Sequence, residues 1–215
     1  MHARALAAVT VAMLGSVHLG GLHPAHAQSY PPLFGTREIR SENLKSFPKW
    51  TGVLERMIDS EASKTAACAK SAPGQCHLND WKAILEAEAG RDRETQIRNI
   101  NRIVNERVYI TDPVNWGVID YWATPREFRL REGDCEDYAI AKFALLRALG
   151  FRNEDLRIAI VQDLNLRIPH AILVVYHAGR ALILDNQARQ VIAADKIRHY
   201  RPIYSINERT WWLHR

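Results

Sequence analysis

Apolar residues recur with a helical period through the first half of the chain and in short runs through the second. Trp50, Val53, Leu54, Met57 and Ile58 form the apolar stripe of one core-facing helix. A second helix starts near Asn79 or Asp80, either of which can cap it, and sets Trp81, Ile84 and Leu85 on one face. Ile97, Ile100, Val104 and Val108 mark a third. A broader apolar face made by Ile140, Phe143, Ala144, Leu146 and Leu149 predicts a largely buried helix over 136–149, stopped by Gly150. Cys135 then falls in its first turn.

Beyond Gly150 the apolar runs 156–161, 171–176 and 181–184 read as strands, with Ala178-Gly179 as a hairpin turn. Helices followed by antiparallel strands argue an α+β fold. Residues 28–48 carry Pro31-Pro32 and no sustained period, and are expected as an extended arm over the surface. Asp112-Pro113-Val114-Asn115-Trp116-Gly117 is turn chemistry, and Thr124-Pro125 prevents a helix from running through that point. Asp120-Tyr121-Trp122 lies between them as loop or short extended chain.

The N-terminus changes the picture of where the protein works. Arg4, an apolar run over 5–22 and Ala25-His26-Ala27 make the layout of a secretory signal peptide, removed before Gln28. The run is interrupted by Gly15, Ser16, His18, Gly20 and Gly21, which suits poorly a span of about 30 Å of hydrocarbon. Residues 1–27 are thus assigned to the signal and 28–215 to a single exported domain. Within it, 28–110 is mainly helical and 111–215 is expected to be the core that carries the chemistry. The chain carries a net charge of +5, and its basic residues are scattered rather than striped, which gives a nucleic-acid role little support.

Three cysteines enter an oxidising compartment. Cys68 and Cys76 flank Ala72-Pro73-Gly74 and are candidates for a short disulfide loop. Cys135 is left alone, and an odd thiol in a secreted protein is a candidate nucleophile. A thiol ionises with help from a helix N-terminus and a nearby imidazole. If Ala178-Gly179 is the hairpin turn, His177 pairs with Arg180, and Asp185 points to the same sheet face as His170. That register puts a base beside an orienting acid. Asp134, Glu136 and Asp137 surround the cysteine, where they act as helix caps or as oxygen ligands for a hard cation. Trp122 is a candidate surface anchor for substrate or receptor, with core packing as the equal alternative.

At these residues the sequence resembles the bacterial transglutaminase-like cysteine peptidases, the LapG-type periplasmic proteases. The likeness runs through Asp120-Tyr121-Trp122-Ala123-Thr124-Pro125, Gly133-Asp134-Cys135-Glu136-Asp137-Tyr138-Ala139, Pro169-His170-Ala171, Leu184-Asp185-Asn186 and Tyr204-Ser205-Ile206-Asn207-Glu208. The resemblance implies a papain-like, transglutaminase-like fold with Cys135, His170 and Asp185 as catalytic triad. It also implies Ca²⁺ held by Asp134, Glu136 and Asp137, with Asp120 as a further potential ligand. It further implies a periplasmic task, clipping the N-terminal region of a large surface adhesin to release biofilm cells. An inner-membrane cyclic di-GMP receptor of the LapD type would control it. A transglutaminase or amidase using the same thioester chemistry, and a non-catalytic calcium-binding interaction module, are the rival readings.

Overall fold

A computed structural model describes residues 30–59 and 75–215. Residues 1–27 and Cys68 lie outside these, so the expected signal peptide and disulfide fall outside the described residues. The chain runs through β1 (Glu38–Ser41), α1 (Pro48–Asp59), α2 (Lys82–Glu88), α3 (Arg93–Asn105), α4 (Asp112–Asn115), α5 (Pro125–Arg131) and α6 (Cys135–Ala148). The strands β2 (Leu156–Asp163), β3 (Ile168–His177), β4 (Arg180–Leu184), β5 (Ile192–Ala193), β6 (Tyr200–Ile206) and β7 (Trp211–His214) follow. They form one antiparallel sheet in the order β1-β7-β6-β2-β3-β4-β5. This is the α+β architecture that the periodicity predicts.

Helices pack on one face of the sheet. Ile158, Leu173, Val175, Leu182, Leu184 and Ile206 from the strands meet Ile140, Phe143 and Leu146 of α6 and Ile97, Ile100 and Val104 of α3. Strand alternation sends Ala159, Val161, Ile172, Val174 and Ile183 to the other face. That face is covered by Leu33, which is fully buried, and by Tyr30, whose ring lies 4.6 Å from that of Tyr176. The arm thus runs over the surface of the sheet, anchored by Leu33 with its other residues half-buried or exposed, and β1 within it pairs with β7. The contacts that anchor it, Leu33 on the sheet, Tyr30 on Tyr176 and β1 on β7, are distant in sequence, which is why its local pattern is silent.

Details at element ends also differ from the sequence reading. The second helix is entered through a 3₁₀ turn over Gln75–Trp81, and Trp81 occupies its N-cap without a side-chain cap. Asp80 pairs with Arg126 at 3.6 Å instead of capping. Val108 lies past the end of α3 and is exposed, as is Ile58 in the last turn of α1. Pro125 opens α5 at its first turn, with Thr124 and Glu127 forming a capping box of about 1 kcal/mol. Among the described residues no helix is long and apolar enough to cross a membrane.

Candidate functional site

Cys135 is the first residue of α6, with Asp134 as the N-cap. Gly133 is required just before it. A Cβ there would stand 2.0 Å from Asp137 Oδ2, because that carboxylate folds back over the entry to the helix. Asp137 Oδ2 accepts the Asp134 N–H at 3.3 Å, and Oδ1 accepts the Ala123 N–H at 2.7 Å. A buried side chain with both oxygens on backbone amides ties the 121–124 loop to the start of α6.

The sheet supplies the other half of the site. The hairpin register is the expected one, His177 opposite Arg180 and Leu173 opposite Leu184, with Ala178 and Gly179 both at positive φ as a type I′ turn requires. β4 ends at Leu184, so Asp185 leaves the ladder and its side chain turns to His170. His170 Nε2 lies 2.9 Å from Asp185 Oδ1, and both residues are buried. The Gln187 N–H donates to the same oxygen at 2.9 Å, and the Tyr200 hydroxyl donates to Oδ2 at 2.6 Å. Despite burial, which raises it, these bonds and the imidazole hold the Asp185 carboxyl below its usual range.

The two halves meet at the sulfur. The backbone of Ala171, the residue after His170, favours the Cys135 thiolate. Burial and the charges of Glu136 and Asp134 outweigh that effect and push the thiol up. The S–H donates to Glu136 Oε2 at 3.2 Å.

Acids crowd this end of the helix. Oxygens of Asp112, Asp120 and Glu136 lie within 4.8 Å of one another, as do those of Asp112, Asp134 and Asp137. Desolvation pushes the Asp112 carboxyl up to about 6, Asp137 to about 8 and Glu136 to about 10, and neighbouring carboxylates add to each rise. Asp112 Oδ1 and Asp134 Oδ1 are buried with no hydrogen-bond partner among the described residues. A set of hard oxygens that repel one another and leave orphaned atoms fits a divalent cation such as Ca²⁺.

The sequence suggests Cys135, His170, Asp185, Asp134, Glu136 and Asp137; the structure gathers Asp134, Cys135, Glu136 and Asp137 at the start of α6 and joins His170 to Asp185 on the sheet packed against it. Sequence reasoning misses Asp112, read as turn chemistry, and Tyr200, which reaches Asp185 from β6. Turn residues and a lone strand tyrosine carry no local signal of such contacts. Trp122 is packed rather than presented: it is 8% exposed and its ring lies 6.5 Å from Trp50. Its carbonyl accepts from Arg56.

Comparison with known proteins bears on this arrangement. Comparison with curated proteins gives no significant match. Among solved structures, Legionella pneumophila LapG is 28% identical at a TM-score of 0.58, covering 74% of this chain and 87% of that one. The calcium-bound form of that protein matches equally, and its EGTA-treated form has a TM-score of 0.59 over 75% of this chain and 86% of that one. The model of the bacterial transglutaminase-like cysteine proteinases, BTLCP, matches residues 63–213. With that match over most of its length, the chain belongs to the bacterial transglutaminase-like cysteine proteinase family and is a LapG-type peptidase.

Proposed function

We propose that the protein is an exported, calcium-dependent cysteine endopeptidase with Cys135 as nucleophile, His170 as general base and acid, and Asp185 as orienting group. The observation that carries this reading is the His170 Nε2–Asp185 Oδ1 bond of 2.9 Å in a sheet packed against the helix that Cys135 opens. With Nε2 held by Asp185, Nδ1 is the ring nitrogen that exchanges the proton with the thiol. The thiolate attacks the scissile carbonyl, His170 protonates the leaving amine, and water resolves the thioester with His170 as base. The Cys135 N–H, free of intrahelical bonding at the first position of α6, is a donor for the oxyanion.

Asp112, Asp120, Asp134 and Glu136 would hold the calcium ion, with Asp137 braced beneath them on the amides of Ala123 and Asp134. Its charge supplies compensation for carboxylates that otherwise oppose a thiolate at Cys135. The LapG structure in its calcium-bound form supports this assignment.

The substrate in this reading is the N-terminal region of a large surface adhesin, cut beside paired small residues in the periplasm. An inner-membrane cyclic di-GMP receptor of the LapD type withholds the enzyme. Incubation of the protein with an adhesin N-terminal fragment, with Ca²⁺ or with EGTA, tests the proposal on a gel. Two fragments with Ca²⁺ and none with the Cys135→Ala variant is the expected result. A cross-linked ladder would instead make the protein a transglutaminase, and an intact fragment bound to the protein would make it an interaction module.

A further inference from the structure

The acid of the triad stands outside regular structure. β4 ends at Leu184, so no strand ladder fixes the backbone of residues 185–188. Within this loop the Gln187 N–H closes back on Asp185 Oδ1 at 2.9 Å. That turn shapes the loop but does not tie it to the rest of the fold.

The tie comes from α3. Asn105 Nδ2 donates to the carbonyl of Asp185 at 2.7 Å and to that of Ala188 at 3.0 Å, which uses both hydrogens of one amide. Asn101, one turn earlier on the same face, donates to the Ala188 carbonyl at 3.4 Å. Asn101 is fully buried in a stripe whose neighbours Ile97, Ile100 and Val104 are apolar core. A buried amide costs stability wherever it lacks a hydrogen bond, and Asn101 Oδ1 and Asn105 Oδ1 have no partner among the described residues. Leucine at either position would pack without that cost. The packing of α3 therefore does not account for the two amides, whereas their grip on the loop does.

We infer that Asn105, seconded by Asn101, is a positioning residue for Asp185, fixing the backbone from which the carboxylate reaches His170 Nε2. The inference rests on the triad reading above. Asp185 is then held at both ends: the Tyr200 hydroxyl grips its carboxylate at 2.6 Å, and Asn105 grips its own carbonyl. The helix that supplies the clamp is itself tied to the nucleophile's helix. Arg93 at the start of α3 donates to the carbonyls of Leu149 and Gly150, just past the end of α6, at 2.9 and 3.0 Å. One rigid element thus refers the acid to the helix that Cys135 opens. Loosening the clamp frees the main chain and lets the carboxylate drift from the imidazole, and a misplacement of about 1 Å can cost on the order of a hundredfold in rate.

The test follows the proton between His170 Nε2 and Asp185 by NMR, using the full chain in calcium-containing buffer. In the unaltered protein this proton is expected as a downfield signal, assigned by its loss in His170→Ala. In Asn105→Leu and Asn105→Ala the signal broadens or moves upfield, kcat falls about tenfold or more, and KM stays within about twofold. Asn101→Leu, which removes only the longer bond, gives a smaller change of the same kind. Val104→Ala truncates the apolar core beside the two amides without touching the loop, so it lowers Tm but leaves the signal and kcat in place. An unchanged signal and kcat in either folded Asn105 variant overturns the inference. So does a Val104→Ala variant that disturbs both as much as Asn105→Leu does. An unaltered protein that shows the signal and cleaves nothing would defeat the peptidase reading, and the signal would still decide the role of Asn105.

Discussion

On the sheet side of the site Asp185 receives an imidazole, a tyrosine hydroxyl and a backbone N–H, and its carboxyl lies low. On the helix side Asp112, Glu136 and Asp137 are raised, oxygens of Asp112 and Asp134 have no partner, and the Cys135 thiol is pushed up with them. Both sides are buried, so desolvation acts on both. The difference is compensation: hydrogen bonds and an imidazole prevail on one side, while on the other backbone amides are outweighed by desolvation and like charges. Folding alone joins His170 to Asp185, whereas the carboxylates beside Cys135 keep unmet charge that the proposed cation would balance.

The largest effect expected is at the junction of the two sides. Cys135→Ala removes about a thousandfold or more of proteolysis with an unchanged circular dichroism spectrum. His170→Ala is comparable, and a variant of either that keeps full activity contradicts the assignment. Next comes the helix side. Chelation is expected to abolish cleavage, Ca²⁺ to restore it, and Mg²⁺ to substitute poorly because it demands tight octahedral geometry. Asp134→Ala and Glu136→Ala reproduce the chelated state, and Asp112→Asn weakens calcium about 10- to 100-fold in a calorimetric titration. An Asp112→Asn variant with unaltered affinity removes that residue from the ligand set.

The sheet side yields smaller, graded losses. Asp185→Asn spoils the orientation of the imidazole. Tyr200→Phe leaves the Asp185–His170 bond but lowers kcat about tenfold, the scale of one hydrogen bond to a charged group. The low carboxyl of Asp185 contributes stability above the unfolded carboxylate pKa, lost as pH falls through the folded value. Thermal melts of Asp185→Asn between pH 3 and 6 should therefore show a weaker acid dependence than the unaltered protein. Away from both sides, Trp122→Ala is expected to cost about 3 kcal/mol of stability as a core truncation. A denaturant titration that shows no loss would return Trp122 to the surface role.

The legible parts were those set by local period and register. The hairpin turn at Ala178-Gly179 places His170 and Asp185 on one face before any coordinates are needed, and Gly133-Asp134-Cys135 marks a helix start. The illegible parts depend on contacts between distant segments. Tyr200 and Asp185 are joined across the sheet, Asp112 joins the acids through the fold of the 112–121 loop, and β1 exists only because β7 presents an edge. Asn101 and Asn105 are two polar positions in a helical pattern, and only their reach to the loop after β4 sets them apart.

The contrast between the two sides is tested most directly by the reactivity of the thiol itself. The rate at which iodoacetamide alkylates Cys135 at neutral pH, followed by mass spectrometry of its peptide, reports the thiolate without any substrate. Rapid alkylation with Ca²⁺ bound, a marked slowing in excess EGTA and recovery when Ca²⁺ is returned are the expected results. The same fast rate with and without chelator would mean that the carboxylates around Cys135 need no cation, and would contradict the account.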